Sequence, residues 1–425
     1  MIVVTIGALL LCAASAAFAG GSKESAGQGS MEDGPATITF WAWATTDKQE
    51  IINRALSEFH EGQNDVEVEF QAFPSGGYEE KILSAVASDT APDVSFTKIS
   101  FGQRFASENI LTNMNNLGAE EMLDNILESS LAYGQYDGGT YMLPVNADNR
   151  FIAYNGDVLS EAGYTEEVQQ GAVSWDQLRQ MAADVSERDN QGNVRRIGFY
   201  VSPSWGGGWA DFLYTAGGQL LNDNNTEAAF NTEAGLEALR LVLDLKEYSS
   251  QLQDEDAPFY NGNVAMIKKG SWDLPRFPRE MPNTDWGIMP IPSPTGEVAR
   301  GAGSLLAGID IGIYESSQHK EASFELVQHF LSDSVQSWFP AEYGQFPVVE
   351  SAYDTEDFQS YLDENPAYAK AAEWMQYTWP LPLIPEWSQI SETLNSHIEQ
   401  AWFDELSPEE ALNQAEQEVN QILSE

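Results

Sequence analysis

Four histidines, a single cysteine and twelve tryptophans bound the chemistry open to this 425-residue chain. His60, His319, His329 and His397 are scattered along stretches of helical apolar spacing, where a histidine usually packs or faces water. No His-x-x-x-His pair, Gly-x-Ser-x-Gly elbow, phosphate loop or dinucleotide fingerprint occurs, so nucleophilic, metal and cofactor chemistry have no sequence support. A glycosidase would need only two carboxylates, and among 66 Asp and Glu such a pair carries no information. The tryptophans are different. Trp175, Trp338 and Trp402 sit within amphipathic patterns and read as packing residues. Trp43, Trp205, Trp209, Trp272, Trp379 and Trp387 fall at strand ends or in Gly- and Pro-rich loops. Flat aromatic faces there suit the C–H faces of sugar rings, with Asp, Asn and backbone groups bonding the hydroxyls.

Positioning such loops needs a scaffold, and the chain is long enough for two lobes. "ATITFWAW" begins a first strand, residues 47–60 form a helix, "VEVEFQAF" a second strand, residues 78–88 a second helix and "APDVSFT" a third strand. This β-α alternation predicts a parallel sheet, with ligands outside the carboxyl ends of its strands. In "TYMLPVNADNRFIAYN" two strands abut across the polar break at residues 146–149, which marks a passage from one lobe to the other. Ser174 caps a helix over 175–185, and "RDNQGNVRRIGF" turns into a strand. A long amphipathic helix covers 233–248, and "WGIMPIPSPTG" and "SLLAGIDIGIY" supply later strands. Ser407 and Glu410 form a capping box on the last helix.

The net charge of −46 repels phosphates and anionic lipid, which disfavours nucleic acid and membrane surfaces as partners. Residues 2–17 are apolar and Ala17-Phe18-Ala19 is a small-residue cleavage site, so residues 1–19 read as a signal peptide. Residues 20–35 read as a flexible leader, and Cys12 would leave with the signal. Leu11 before Cys12 fits lipid attachment poorly. The expected product is a periplasmic or extracytoplasmic monomer without disulfide, cofactor or metal.

The order of "FWAW", "APDV", "LPVNADNRFIAYN", "SWDQL", "GNVAMIKKGSW", "YGQFPV", "PLPLIPEW" and "SPEEALNQAEQEVNQIL" resembles the extracellular solute-binding proteins of carbohydrate ABC transporters, the group that contains maltose-binding protein. The resemblance implies an α/β, two-lobed periplasmic-binding-protein-like fold of type II. Residues 36–146 with about 293–345 would form one lobe, and 147–292 with about 346–425 the other. A mono- or oligosaccharide would be held between them and delivered to transmembrane permease subunits. It further implies that Trp272 stacks on the sugar, with Gly270 letting the loop approach the ligand, and that Asp148, after Pro144, bonds hydroxyls together with Asn149. Trp205 and Trp209 would wall the second lobe, Trp379 and Trp387 would come from a late loop, and Trp43, Thr45, Lys98 and Ser100 from strand ends of the first lobe. Lys98 would either meet an acidic sugar or be a surface lysine. Asp93 reads as structural. Two alternatives stay open: the same fold binding a polyamine, metal or other non-sugar solute, and an exported carbohydrate-active enzyme with tryptophan subsites.

Overall fold

In the computed structural model the chain is described over residues 34–204, 206, 208–249 and 256–425. The signal with Cys12 and residues 20–33 of the leader lie outside the described residues, as does Trp205. The strands in chain order are β1 (Ala36–Trp43), β2 (Val66–Phe73), β3 (Val94–Lys98), β4 (Gln135–Tyr136), β5 (Gly139–Thr140), β6 (Met142–Asp148), β7 (Arg150–Asn155), β8 (Glu187–Arg188), β9 (Val194–Tyr200), β10 (Val264–Gly270), β11 (Trp286–Met289) and β12 (Ala307–Ile313). They build two five-stranded sheets, β2-β1-β3-β12-β6 and β11-β7-β10-β9-β8, with β4 and β5 forming a separate pair.

Neither sheet is purely parallel, contrary to the expectation from β-α alternation. β1 pairs in parallel with β2 and β3, but β12 runs antiparallel to both β3 and β6. In the second sheet β10 is parallel to β9 and antiparallel to β7. The reason is the return of the chain: β6 leaves the first sheet at Asp148, β7 opens the second at Arg150, and β12 re-enters the first beside that same exit, Ala307 opposite Asp148, so it runs back against β6. The polar break read between two abutting strands is this one-residue passage at Asn149.

Each sheet is half of a packed layer system. The first buries Phe40, Phe96 and Ile311 beneath Ile52, Leu56 and Phe59 of the helix Thr46–Gly62, whose apolar spacing places those three on one face. The second buries Phe151, Ile197 and Ile267 against Phe259, Phe277 and Tyr368. Residue 93 behaves as read: the Asp93 carboxylate accepts from Thr39 N–H at 2.9 Å and from the Thr39 and Ser317 hydroxyls at 2.8 and 2.6 Å, a knot between strand start and loop. Both capping boxes form, Ser174 with Gln177 and Ser407 with Glu410. Among the described residues no helix is long and apolar enough to cross a membrane.

Candidate binding cleft

The carboxyl ends of β1, β2, β3, β6 and β10 converge on one open cleft of about 1480 Å³. The same ends are where open α/β sheets present ligand sites, because the backbone there turns outward into loops. Of the residues singled out from sequence, Trp43, Thr45, Lys98, Ser100, Asp148, Trp272 and Trp387 line this cleft. Trp43 closes β1, half-buried, with its ring 5.3 Å from that of Tyr78. Thr45 is exposed at the mouth and donates to Asp47 at 2.5 Å. Trp387 is buried at the start of the helix Trp387–Trp402, yet still reaches the cleft wall.

Trp209 and Trp379 are elsewhere, which corrects their assignment to the cleft. Trp209 is fully buried, its indole N–H donating to Gly235 O at 3.0 Å and its ring edge-on to Phe230. Trp379 is 1% exposed, stacked on Tyr214 at 4.3 Å, and donates to the Asp211 carboxylate at 3.1 Å. That carboxylate also holds the Ser304 hydroxyl at 2.7 Å and Lys268 at 2.9 Å. A buried indole needs an acceptor, and each of these found one inside the protein. Asn149 is likewise withdrawn: it is fully buried, donates to Ala371 O at 2.7 Å, and takes Ser271 N–H on its own carbonyl at 3.0 Å. Its work is to fasten the crossing to the loop that carries Trp272.

Trp272 sits in the short 3-10 turn Ser271–Asp273 after β10, half-buried. A Cβ on Gly270 would lie 2.1 Å from its ring, so the glycine leaves room for this indole to fold back, a different reason from the expected approach of the loop to a ligand. Over the ring lies the Arg150 guanidinium, 4.9 Å from its centre.

Arg150 was missed from sequence, as was Gln345. Arg150 pairs with Asp148 at 2.7 Å and donates to Leu305 O at 3.0 Å. Asp148 is 4% exposed; burial pushes its carboxyl above the usual range, while Arg150 and Gln345 work in the opposite direction. Gln345 donates its amide to the second Asp148 oxygen at 2.7 Å. The i, i+2 relation of Asp148 to Arg150 in "NADNR", and the Gly-Gln step in "YGQFPV", were the available signals.

Six acidic and six basic side chains line the cleft, although the chain as a whole carries −46. Lys98 pairs with Glu79 at 2.5 Å, Arg104 with Glu108 at 2.9 Å and Arg276 with Asp273 at 3.1 Å. Arg279 reaches Asp47 at 3.6 Å from the other sheet's side of the cleft. Lys48 lies 4.6 Å over the Tyr343 ring and donates to Tyr343 O; burial drops its ammonium to about 8, against the pull of Asp47 and Asp273. The acidity of the molecule is therefore an outer-surface property, and the cleft is close to neutral. Among the described residues no group of three His, Cys, Asp or Glu could hold a metal ion.

Residues 42–337 match the family of bacterial extracellular solute-binding proteins. The chain belongs to that family. A putative binding protein of Brucella abortus is 22% identical, over 91% of this chain and 92% of its own. The diacetylchitobiose-binding protein DasA of Streptomyces coelicolor is 24% identical over 96% of both. Among solved structures, an ABC transporter solute-binding protein of Thermotoga lettingae bound with α-D-tagatose superposes with a TM-score of 0.79 at 27% identity, covering 91% of this chain and all of that one. A Listeria monocytogenes ABC substrate-binding protein in complex with cycloalternan gives 0.80 at 20% identity, over 92% and 99%, and carries the fold alone.

Proposed function

We propose that this solute-binding protein captures a mono- or oligosaccharide in the cleft, closes its lobes on it by hinge motion and delivers it to the transmembrane permease of an ABC importer. It acts outside the cytoplasmic membrane as a monomer and hydrolyses nothing. The observation that carries the reading is the composition of the cleft wall. Half-buried Trp43 and Trp272 face a space edged by Asp148, Arg150 and Gln345, with Asp148 and Arg150 paired. Stacking plates beside fixed hydrogen-bonding groups, with no excess charge, suit a neutral polyol ring better than a polyamine or a metal. The diacetylchitobiose, α-D-tagatose and cycloalternan of the Streptomyces, Thermotoga and Listeria proteins support the same reading.

The lobes expected from sequence form part of the proposal, with the chain crossing at Asn149, between β11 and β12, and near Gln345. A ligand that contacts both sides favours the closed form by its differential affinity. The test is thermal unfolding of the purified protein against mono- and oligosaccharides, with spermidine and divalent metals as controls, at low and high salt. A ligand of the native state raises Tm by mass action. A saccharide that raises Tm at both salt concentrations upholds the proposal. A shift from spermidine alone, fading with salt, replaces it with the non-sugar receptor. Product release from an oligosaccharide over hours would restore the enzyme reading.

A further inference from the structure

Arg150 is the first residue after the crossing, and the strand register decides where its side chain goes. β7 and β10 run antiparallel with Arg150 opposite Gly270. Because that partner has no side chain, the arginine has room to reach the residues two positions away along each segment, Asp148 and Trp272.

The guanidinium is held from three directions. It lies 4.9 Å over the centre of the Trp272 ring, and its Nη1 sits 2.7 Å from Asp148 Oδ1 and donates to Leu305 O at 3.0 Å. The Arg150 backbone N–H is tied to Gly303 O at 3.1 Å, so stem and head are both fixed. These side-chain contacts use one ring face and one nitrogen. Nε and Nη2 have no hydrogen-bond partner among the described residues. The side chain keeps 20% of its surface, and Asp148, Trp272 and Leu305 around it all line the cleft, so the free part of the guanidinium opens there. The other arginines of the wall, Arg104, Arg276 and Arg279, are 38%, 32% and 57% exposed, and water competes more strongly for their donors.

A guanidinium carries five N–H groups, never accepts and keeps its charge in proteins, so what Arg150 offers does not depend on the protonation of Asp148. Nε–H and one Nη2–H point the same way and make a fork for two adjacent oxygens. A carboxylate or a pair of hydroxyls on neighbouring ring carbons can span it. The equal numbers of acidic and basic side chains in the cleft wall favour the neutral pair.

Resting on the reading of the cleft as a saccharide site, we infer that Arg150 is a specificity-determining residue whose Nε–Nη2 edge donates to two adjacent oxygens of the sugar unit seated beside Trp272. The hydroxyls at those positions are read as acceptors. A sugar that cannot present both leaves a half-buried charged donor stripped of water without a replacement, and is rejected for that reason.

The experiment uses the best-binding saccharide of a defined panel (maltotriose, N,N′-diacetylchitobiose, cellobiose and their monomers), its monodeoxy and monodeoxyfluoro derivatives and its uronic acid counterpart, titrated calorimetrically. Fluorine accepts weakly and cannot donate. At two adjacent ring positions the deoxy sugars should lose roughly tenfold or more in the wild type, the worth of a hydrogen bond to a charged group, and the deoxyfluoro sugars less. Arg150→Lys keeps the charge and most of the stem but not the fork. It should weaken the parent sugar by a similar factor and largely abolish the two deoxy penalties. A merely structural arginine would weaken parent and derivatives alike and leave the penalties as they were, which overturns the assignment. Should Arg150→Lys fail to fold, the wild-type series still decides: the assignment falls if no adjacent pair of positions shows deoxyfluoro binding better than deoxy. A uronic acid that outbinds its neutral parent in the wild type and loses that preference in Arg150→Lys replaces the hydroxyl pair with a carboxylate and overturns the neutral reading. In each of these cases the receptor reading survives. If no saccharide titrates into the wild type, both fall together.

Discussion

Trp272 and Trp379 look alike in sequence, each an indole next to a strand or a Pro-rich loop, and the fold treats them in opposite ways. Trp379 is 1% exposed, stacked face to face on Tyr214 and bonded to Asp211. Trp272 is half-buried in the cleft wall, its ring folded back over Gly270 with Arg150 across it. The difference lies in what the surroundings supply. Around Trp379 a buried carboxylate, already shared with Lys268 and Ser304, offers the N–H an acceptor and Tyr214 offers the ring a partner. Around Trp272 a missing Cβ makes the space, and the partner over the ring is a cation rather than another ring.

The widest separation between the two comes from stability. Trp379→Ala should destabilise by ~3–5 kcal/mol, the range for deleting a large buried aromatic, because it opens a cavity beside Tyr214 and strips Asp211 of one donor. Urea unfolding measures this. A loss under ~1 kcal/mol would mean that Trp379 is not part of the core, and the contrast with Trp272 would collapse.

The same contrast extends to buried acids. Asp211 has three partners, whereas Asp310 on β12 is 1% exposed with one oxygen lacking any hydrogen bond, opposite Pro144 at the register shift between β6 and β12. Burial alone pushes the Asp310 carboxyl up to about 8. Since the unfolded carboxyl titrates near 4, the native state binds the extra proton between about 4 and 8, and stability falls as pH rises through that window. Asp310→Asn should flatten this slope and raise stability at pH 9 by roughly 1–3 kcal/mol. Equal pH slopes for the two proteins in calorimetric unfolding would show that Asp310 is not the group responsible.

Gly270→Ala sharpens the account of Trp272 itself. A methyl 2.1 Å from ring carbons cannot coexist with the present indole, which must swing into the cleft and take ligand space. Affinity for the bound saccharide should drop roughly tenfold, about 1.4 kcal/mol, with little change in the unfolding of the ligand-free protein. An unchanged Kd would mean that the ring's position is irrelevant to binding.

Much of this was open to sequence reasoning, for physical reasons that can be named. The crossing at residues 146–149 was visible because Asn, Asp and Asn interrupt two apolar strands, and the helix over 175–185 because Ser174 and Gln177 are local partners. The direction of β12 was not, since strand alternation reports faces and not pairing partners. The fate of Trp209 and Trp379 was hidden for a related reason. Their acceptors, Gly235 O and Asp211, lie 26 and 168 positions away, and no local pattern contains them. Gln345 escaped notice because the residue that gives it a place in the cleft wall, Asp148, lies 197 positions away, and the Gly-Gln step alone does not name that partner.

Trp272→Ala makes the smallest of these changes and tests the comparison where it matters for function. With the ring half outside the core, its removal leaves no closed cavity, so the ligand-free melting temperature should move little, unlike that of Trp379→Ala. One ring face looks toward the Arg150 guanidinium; a sugar can take what that contact leaves. The stack should be worth about 1 kcal/mol, a loss of at least fivefold in affinity by titration. Trp272→Phe should recover part of it, because a smaller ring still offers a face, whereas recovery by Leu to the same extent would point to bulk rather than stacking. Unchanged affinity in Trp272→Ala would remove this residue from the site and leave Trp43 and Trp387 as the plates, with the half-buried indole serving only to seat Arg150 beside Asp148.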